Sequence, residues 1–195
     1  EPADSPTLRS EVARNPALVR ALALYRIDQP GWALREWDNA LAGFDDARRR
    51  TAVALAQESG WFDRGLFSLG TQPEEQRLYT LRFPLHHDAD IRAAAKRHDL
   101  DPAWIAAEIR AESVFNPNAR SGANARGLMQ LLPSTAAAVA KRTGLAYNGA
   151  DSLYDSSTNI ALGSAYLREM EDKYGTTYVA IAAYNAGPTP VARWQ

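Results

Sequence analysis

The chain has 195 residues, 46% of them hydrophobic and 23% charged, which excludes a disordered or collagen-like chain and leaves enough apolar content for a core. Lys+Arg number 22 against 23 Asp+Glu, a formal net charge of -1, and the balance holds on either side of residue 85 (11 basic and 12 acidic before it, 11 of each after it). No global field draws this chain onto nucleic acid or anionic lipid. The absence of cysteine excludes a disulfide framework, a thiolate zinc site and a Cys nucleophile, and no apolar run approaches the roughly 20 residues of a transmembrane helix. The first residue is Glu1 and no basic-then-apolar leader follows, so a removed signal peptide and a start inside a longer protein both stay open.

Ala occurs 36 times and Val plus Ile only 13, a bias that favours helix because β-branched side chains lose rotamer freedom there. Pro16 to Arg26 puts Leu18, Leu22 and Tyr25 on one stripe, and Gly31 to Gly43 does the same with Leu34, Trp37 and Leu41. Asp45 or Asp46 caps a helix over Ala47 to Glu58, and shorter helices are expected over Trp61 to Leu69 and Pro73 to Leu81. Five helices with brief connections predict stacked helical hairpins over residues 1–85. Arg48, Arg49 and Arg50 read as a solvated helix face.

A boundary falls near 85, after Phe83-Pro84-Leu85. His86, His87 and His98 follow it without the carboxylate-His spacing of a zinc enzyme, so no metal is expected. Asp101-Pro102 opens a helix running to about Glu112, with Trp104, Ile105 and Ile109 on its apolar face. A loop through Asn116-Pro117-Asn118 and Ser121-Gly122-Ala123-Asn124 comes next. Helices are then expected over Leu128 to Leu132, Ser134 to Thr143, Ser157 to Tyr174 and Thr177 to Ala186.

Glu112 stands at i+7 from Ile105 and i+3 from Ile109, on the buried stripe and in the last turn of its helix. Helix-end carbonyls and desolvation by Ile109 and Phe115 both favour its protonated form, which suits a general acid. Position alone also allows a surface Glu paired with Arg110 or Arg120, and Glu108, one turn earlier, competes for the role. From Ser113 to Ala150 there is no Asp or Glu at all. A glycosidase of the usual kind needs two carboxyl groups about the scissile bond, so Asp151 or Asp155 would have to fold into the site.

Three ordered motifs carry a resemblance. Ala111-Glu112-Ser113-Val114-Phe115-Asn116-Pro117, then Arg126-Gly127-Leu128-Met129-Gln130-Leu131, then Ala182-Ala183-Tyr184-Asn185-Ala186-Gly187-Pro188 together resemble the soluble lytic murein transglycosylases. These are goose-lysozyme-like catalytic domains that cleave bacterial peptidoglycan. Thr158-Asn159-Ile160 and Gly163-Ser164-Ala165-Tyr166-Leu167 lie between the second and third motifs. The resemblance covers 86–195 by motif, and 1–85 resembles the superhelical and linker helices that precede that domain.

The resemblance implies an all-α protein in which stacked helical hairpins lead into a mostly α, lysozyme-like catalytic domain. It implies Glu112 as a single acid and then base, 1,6-anhydromuramyl products, no cofactor, and peptidoglycan glycan strands as partner. A periplasmic location, associated with the wall or outer membrane, goes with that substrate. Ser121, Gln130 and Tyr184 fall on positions that line the sugar groove, with the Tyr184 phenol able to reach Glu112 or a sugar face. Gln130 and Tyr184 on helices read alternatively as core residues, and Ser121 as a turn residue. A hydrolytic muramidase and a non-catalytic wall-binding module are the alternative functions.

Three departures stand out. Asn124 replaces a usual Gly, Leu132 replaces a frequent Met, and the chain stops at Arg193-Trp194-Gln195, where the family continues into a closing segment. The catalytic domain is therefore expected to be truncated.

Overall fold

A computed structural model describes residues 5–70 and 72–193, so Trp194 and Gln195 lie outside the described residues. The chain divides between Leu85 and His86 into two compact units. Helices account for the regular structure of both, and among the described residues extended pairing is limited to two isolated bridges, Arg120 with Arg126 and Arg126 with Leu131. No helix is long and apolar enough to cross a membrane among the described residues.

The first unit contains α1 (Pro6–Ala13), α2 (Pro16–Arg26), α3 (Pro30–Leu41), α4 (Asp46–Glu58), α5 (Asp63–Ser68) and α6 (Tyr79–Arg82). Prolines open the first three, where the missing N–H costs nothing. The Asn15 side chain accepts from Leu18 N at 3.0 Å and that of Asp45 from Arg48 N at 2.9 Å, so both act as N-caps. Helix α2 packs on α3 and α1 on α4, the hairpin arrangement that the spacing predicts. Trp37, Leu18, Val53 and Ala21 fill the core between them. Tyr25 stacks on Trp61 at 4.7 Å, Trp37 meets the same indole edge-on at 5.4 Å, and the buried Arg64 guanidinium lies 5.0 Å from it. Arg48 and Arg49 are not simply solvated: Arg48 pairs with Glu11 at 2.9 Å and with Asp45, while Arg49 donates to Ser68 O at 2.8 Å.

The second unit contains α7 (Asp88–His98), α8 (Pro102–Ser113), α9 (Pro133–Thr143), α10 (Ser156–Tyr174), α11 (Thr177–Ala186) and α12 (Pro188–Val191). A short 3-10 turn, Ala150–Tyr154, precedes α10. Side chains of Asp101 and Asp155 cap α8 and α10 by accepting from Ala103 N and Thr158 N, each at 2.8 Å. Gly144 and Gly175 end α9 and α10 in the left-handed region, where a Cβ would be strained. Helix α10 is the central strut, packing on α7, α9 and α11, with Ile160, Leu162 and Leu167 inaccessible.

Three expectations from sequence need correction. Leu128 to Leu132 is not a helix: it lies in a tight turn between the bridge partners Arg126 and Leu131, with Gly127 at φ 75° and Gln130 at φ 45°. Gln130 is therefore a turn residue. Pro73 to Leu81 is broken into a 3-10 turn, Glu75–Arg77, and α6, because Leu78 leaves helical geometry at ψ 65°. Finally, α1 and α7 form where no helix was expected. In α7, Ile91, Ala94 and Ala95 bury one face, with Asp88 and Asp90 in the first turn.

Candidate active site

The second unit carries an open cleft of about 390 Å³. Glu112, Ser121, Gln130 and Tyr184 all line it, together with Tyr166 and Asn185. It is mixed in character and has one carboxyl group in its lining, that of Glu112.

Glu112 reaches the cleft because α8 ends abruptly just after it. Val114 and Phe115 take φ 50° and 59°, two successive left-handed residues that stop the helix and swing the chain aside. Such values are costly for a β-branched and an aromatic side chain. Burial of Phe115 and the Ser113 Oγ bond to Ile109 O at 3.1 Å hold the bend. Burial lifts its carboxyl above the usual range. A half-buried carboxyl of this kind holds its proton longer than an exposed one and can deliver it to a bound oxygen.

The loop facing Glu112 is built around Asn159, whose side chain is wholly buried. Its Nδ2 donates to Arg126 O at 2.9 Å and Leu153 O at 2.8 Å, and its Oδ1 accepts from Met129 N at 2.8 Å. One amide thus ties both ends of the Arg126–Met129 turn to α10. The fit is close: a Cβ on Gly127 would meet Leu153 O at 2.1 Å, and one on Gly163 would meet Met129 Sδ at 2.4 Å. Gln130 Nε2 donates to Ala119 O at 3.1 Å and Gly127 O at 2.9 Å, fixing that side chain at the cleft wall. Ser121 is exposed, and its Oγ accepts from Ala125 N at 3.1 Å. Asn124 sits at φ 67°, a conformation that Asn tolerates in place of Gly.

Tyr184 is buried between α10 and the loop, its ring 5.2 Å from that of Tyr166. Its hydroxyl donates to Met129 O at 2.9 Å, so it bonds the loop that carries Gln130 rather than Glu112. Burial, with Glu108 and Glu112 nearby, lifts the phenol well above its ordinary value and keeps it a neutral donor. Asp151 and Asp155 do not enter the cleft. Asp151 is 95% exposed and pairs with Arg126 at 2.6 Å, while Asp155 is the α10 cap. Glu108, the other candidate, is only 4% exposed and lies behind the cleft wall. Sequence reasoning left out Asn159, although it stands in one of the quoted motifs. Its role depends on a turn 30 residues earlier in the chain. Among the described residues no three His, Asp or Glu side chains cluster as a metal site.

A helical unit ending in a cleft with one carboxyl, faced by a Gly-Leu-Met-Gln turn, defines a class shared with known proteins. The Transglycosylase SLT domain family matches residues 90–195, more than half of the chain, and this chain belongs to it. Residues 11–71 match the soluble lytic murein transglycosylase L domain. The soluble lytic murein transglycosylase of Salmonella typhimurium is 28% identical over 189 residues, covering 96% of this chain and 29% of the relative. An inactive Glu-to-Gln mutant of lytic transglycosylase Slt from Pseudomonas aeruginosa superposes with a TM-score of 0.79 at 32% identity, over 99% of this chain and 31% of that one. The 70 kDa soluble lytic transglycosylase of Escherichia coli gives 0.77 at 26% identity, with the same coverage. The chain therefore spans about three tenths of the length of these relatives.

Proposed function

We propose that this protein cleaves the β-1,4 bond between N-acetylmuramic acid and N-acetylglucosamine in peptidoglycan by intramolecular transglycosylation. The observation that carries the reading is the solitary carboxyl of Glu112 in the cleft. Protonated Glu112 donates to the glycosidic oxygen as the bond to the muramyl anomeric carbon breaks. The resulting carboxylate takes the proton of the muramyl C6 hydroxyl, whose oxygen bonds to that same carbon. The product is a 1,6-anhydromuramyl end, no water is consumed, and Glu112 finishes protonated. A tethered nucleophile has an effective concentration of about 10⁵–10⁸ M when well oriented, which makes a second enzymic carboxylate unnecessary.

Ser121 and Gln130 offer polar groups at the cleft wall to acetamido and hydroxyl groups of the sugars. Hydrolysis on this scaffold would require a carboxylate across the cleft to activate water, and neither Asp151 nor Asp155 is available for that. The inactive Glu-to-Gln mutant of the Pseudomonas relative supports dependence on one glutamate. Polymeric peptidoglycan lies outside the cytoplasmic membrane, so the protein would work in the periplasm.

Mass spectrometry of muropeptides released from purified sacculi by the full-length protein tests this reading. Anhydromuramyl ends are expected, and Glu112→Gln should lower their release at least about a hundredfold. Reducing ends would turn the reading into hydrolysis, and undiminished release by the variant would remove Glu112 from the reaction.

A further inference from the structure

Ser121, Ala123 and Ala125 bring the loop 121–125 to the cleft wall. The base of this loop is firmly fixed: Arg120 bridges to Arg126, and Ala119 O accepts from Gly127 N at 2.9 Å and from Gln130 Nε2 at 3.1 Å. Its tip is held differently. Ser121 N donates to Ala125 O at 3.0 Å, Asn124 N to Ser121 O at 2.9 Å and Ala125 N to Ser121 Oγ at 3.1 Å, all bonds within the loop itself. Among the described residues, one hydrogen bond joins 121–125 to anything outside it, from Arg126 Nε to Asn124 Oδ1 at 3.2 Å.

We infer that Arg126 is a positioning residue for the sugar-facing wall: its guanidinium ties the loop tip to the 3-10 turn Ala150–Tyr154 and so fixes where Ser121 stands in the cleft. The kinetic consequence rests on the function proposed above; the conformational one does not.

The far end of the guanidinium is anchored. Nη1 pairs with Asp151 at 2.6 Å, Cζ lies 5.5 Å from the centre of the Tyr154 ring, and the side chain is only 12% exposed. Asp151 is open to solvent, so that ion pair is screened and contributes little by itself. A guanidinium with so little water around it needs protein acceptors for its other N–H groups, and the Asn124 amide oxygen supplies one. Asn124 gains in return. At φ 67° it holds a left-handed conformation that Asn adopts more readily than other side chains, and a bond from a charged donor secures it there. With the tip fixed, the Ser121 Oγ that accepts from Ala125 N keeps its own hydrogen for a ligand at the cleft wall. A released tip would have to be ordered again each time a sugar binds, whereas Glu112 on α8 stays where it is. Binding then suffers and proton transfer does not.

The test combines steady-state cleavage of purified glycan strands by the full-length protein with amide hydrogen exchange at Asn124 and Ala125. Arg126→Met keeps a long side chain beside Tyr154 but removes the donor. KM should rise about three- to tenfold with kcat changed by less than about twofold, and both amides should exchange at least about threefold faster. Asn124→Gly keeps the left-handed backbone and removes the acceptor without disturbing the Asp151 pair, so it should also raise KM and decides the matter where Arg126→Met folds poorly. Adding Arg126→Met to Asn124→Gly should alter KM by less than about 1.5-fold, because the two substitutions delete the same bond. Asn124→Asp retains an acceptor and should keep KM within about twofold of the parent protein. An unchanged KM in active single variants, unchanged exchange, or a double variant showing the full product of the two single effects overturns the inference. If no form cleaves peptidoglycan, the proposed reaction fails, and the exchange rates still decide whether Arg126 ties the loop.

Discussion

Glu75 in the first unit and Glu108 in the second are both nearly inaccessible, at 1% and 4% exposed, yet their surroundings are opposite. The Glu75 carboxylate accepts from Gly70 N at 2.9 Å and Gln72 N at 3.3 Å, and Arg49 stands 3.8 Å away. Two backbone donors and a nearby cation let this carboxylate staple the connection after α5 to the helix bearing Arg49. Glu108 has one long amide contact and another carboxyl group one turn away. Burial and the charge of Glu112 outweigh that contact and make it a weak acid. The same residue type at the same depth is a bonded staple in one unit and a weak acid in the other, and the partners decide which.

Asn159 lies at the fully compensated extreme, so breaking it should have the largest effect on stability. Asn159→Ala leaves Leu153 O and Met129 N without their partner in a dry interior and Arg126 O with only its bond from Leu131 N. The second unit should lose about 3–5 kcal/mol in urea denaturation, since each unsatisfied buried group costs about 1–3 kcal/mol. Cleavage should fall with it, because the turn supporting Gln130 is released.

A matched pair of substitutions sharpens the contrast between the two carboxyls. Glu75→Leu strips two backbone N–H groups of their acceptor, removes the carboxylate 3.8 Å from Arg49, and should destabilise the first unit by about 3 kcal/mol at pH 7. Glu108→Leu should act in the opposite direction at high pH. Its folded value of about 7 is raised from 4.5, so the stability tied to its proton is complete below pH 4.5 and disappears as pH rises through 7. Replacing it should therefore stabilise the second unit by on the order of 2 kcal/mol at pH 8, with the gain vanishing near pH 4.5. Urea midpoints at the two pH values check this, and a pH-independent loss would show that Glu108 is a staple like Glu75.

What the sequence displays and what it hides divide along a physical line. Local signals held where they were read: Asp45 and Asp101-Pro102 mark helix starts through contacts within three residues. The placement of Glu112 near the end of an amphipathic helix was legible for the same reason. The Leu128–Leu132 turn was not, because its apolar residues face Asn159 and Gly163 on a helix some 30 residues later, and that packing overrides helix propensity. The burial of Glu108 was equally hidden, since its partner Asn185 lies 77 residues away. The 3-10 break at Glu75 depends on a carboxylate reaching back to two backbone donors, which a stripe of apolar residues does not reveal.

Tyr184 gives the smallest effect and the finest test of where the active-site geometry is held. Had its phenol bonded the Glu112 carboxyl, Tyr184→Phe would slow cleavage roughly ten- to a hundredfold with stability intact, since a bond to a charged group is worth about 1.5–3 kcal/mol. The bond to the Met129 carbonyl predicts another pattern. A neutral buried hydrogen bond is worth about 1 kcal/mol, so stability should fall by about that amount. The turn bearing Gln130 then loses one of its long-range ties while Asn159 retains its own. Cleavage should slow by only about two- to fivefold, expressed more in KM than in kcat, because the sugar-facing wall shifts while Glu112 does not. Steady-state kinetics on glycan strands together with urea denaturation separate the cases. A kcat loss above tenfold at unchanged stability would return the phenol to the Glu112 carboxyl during the reaction.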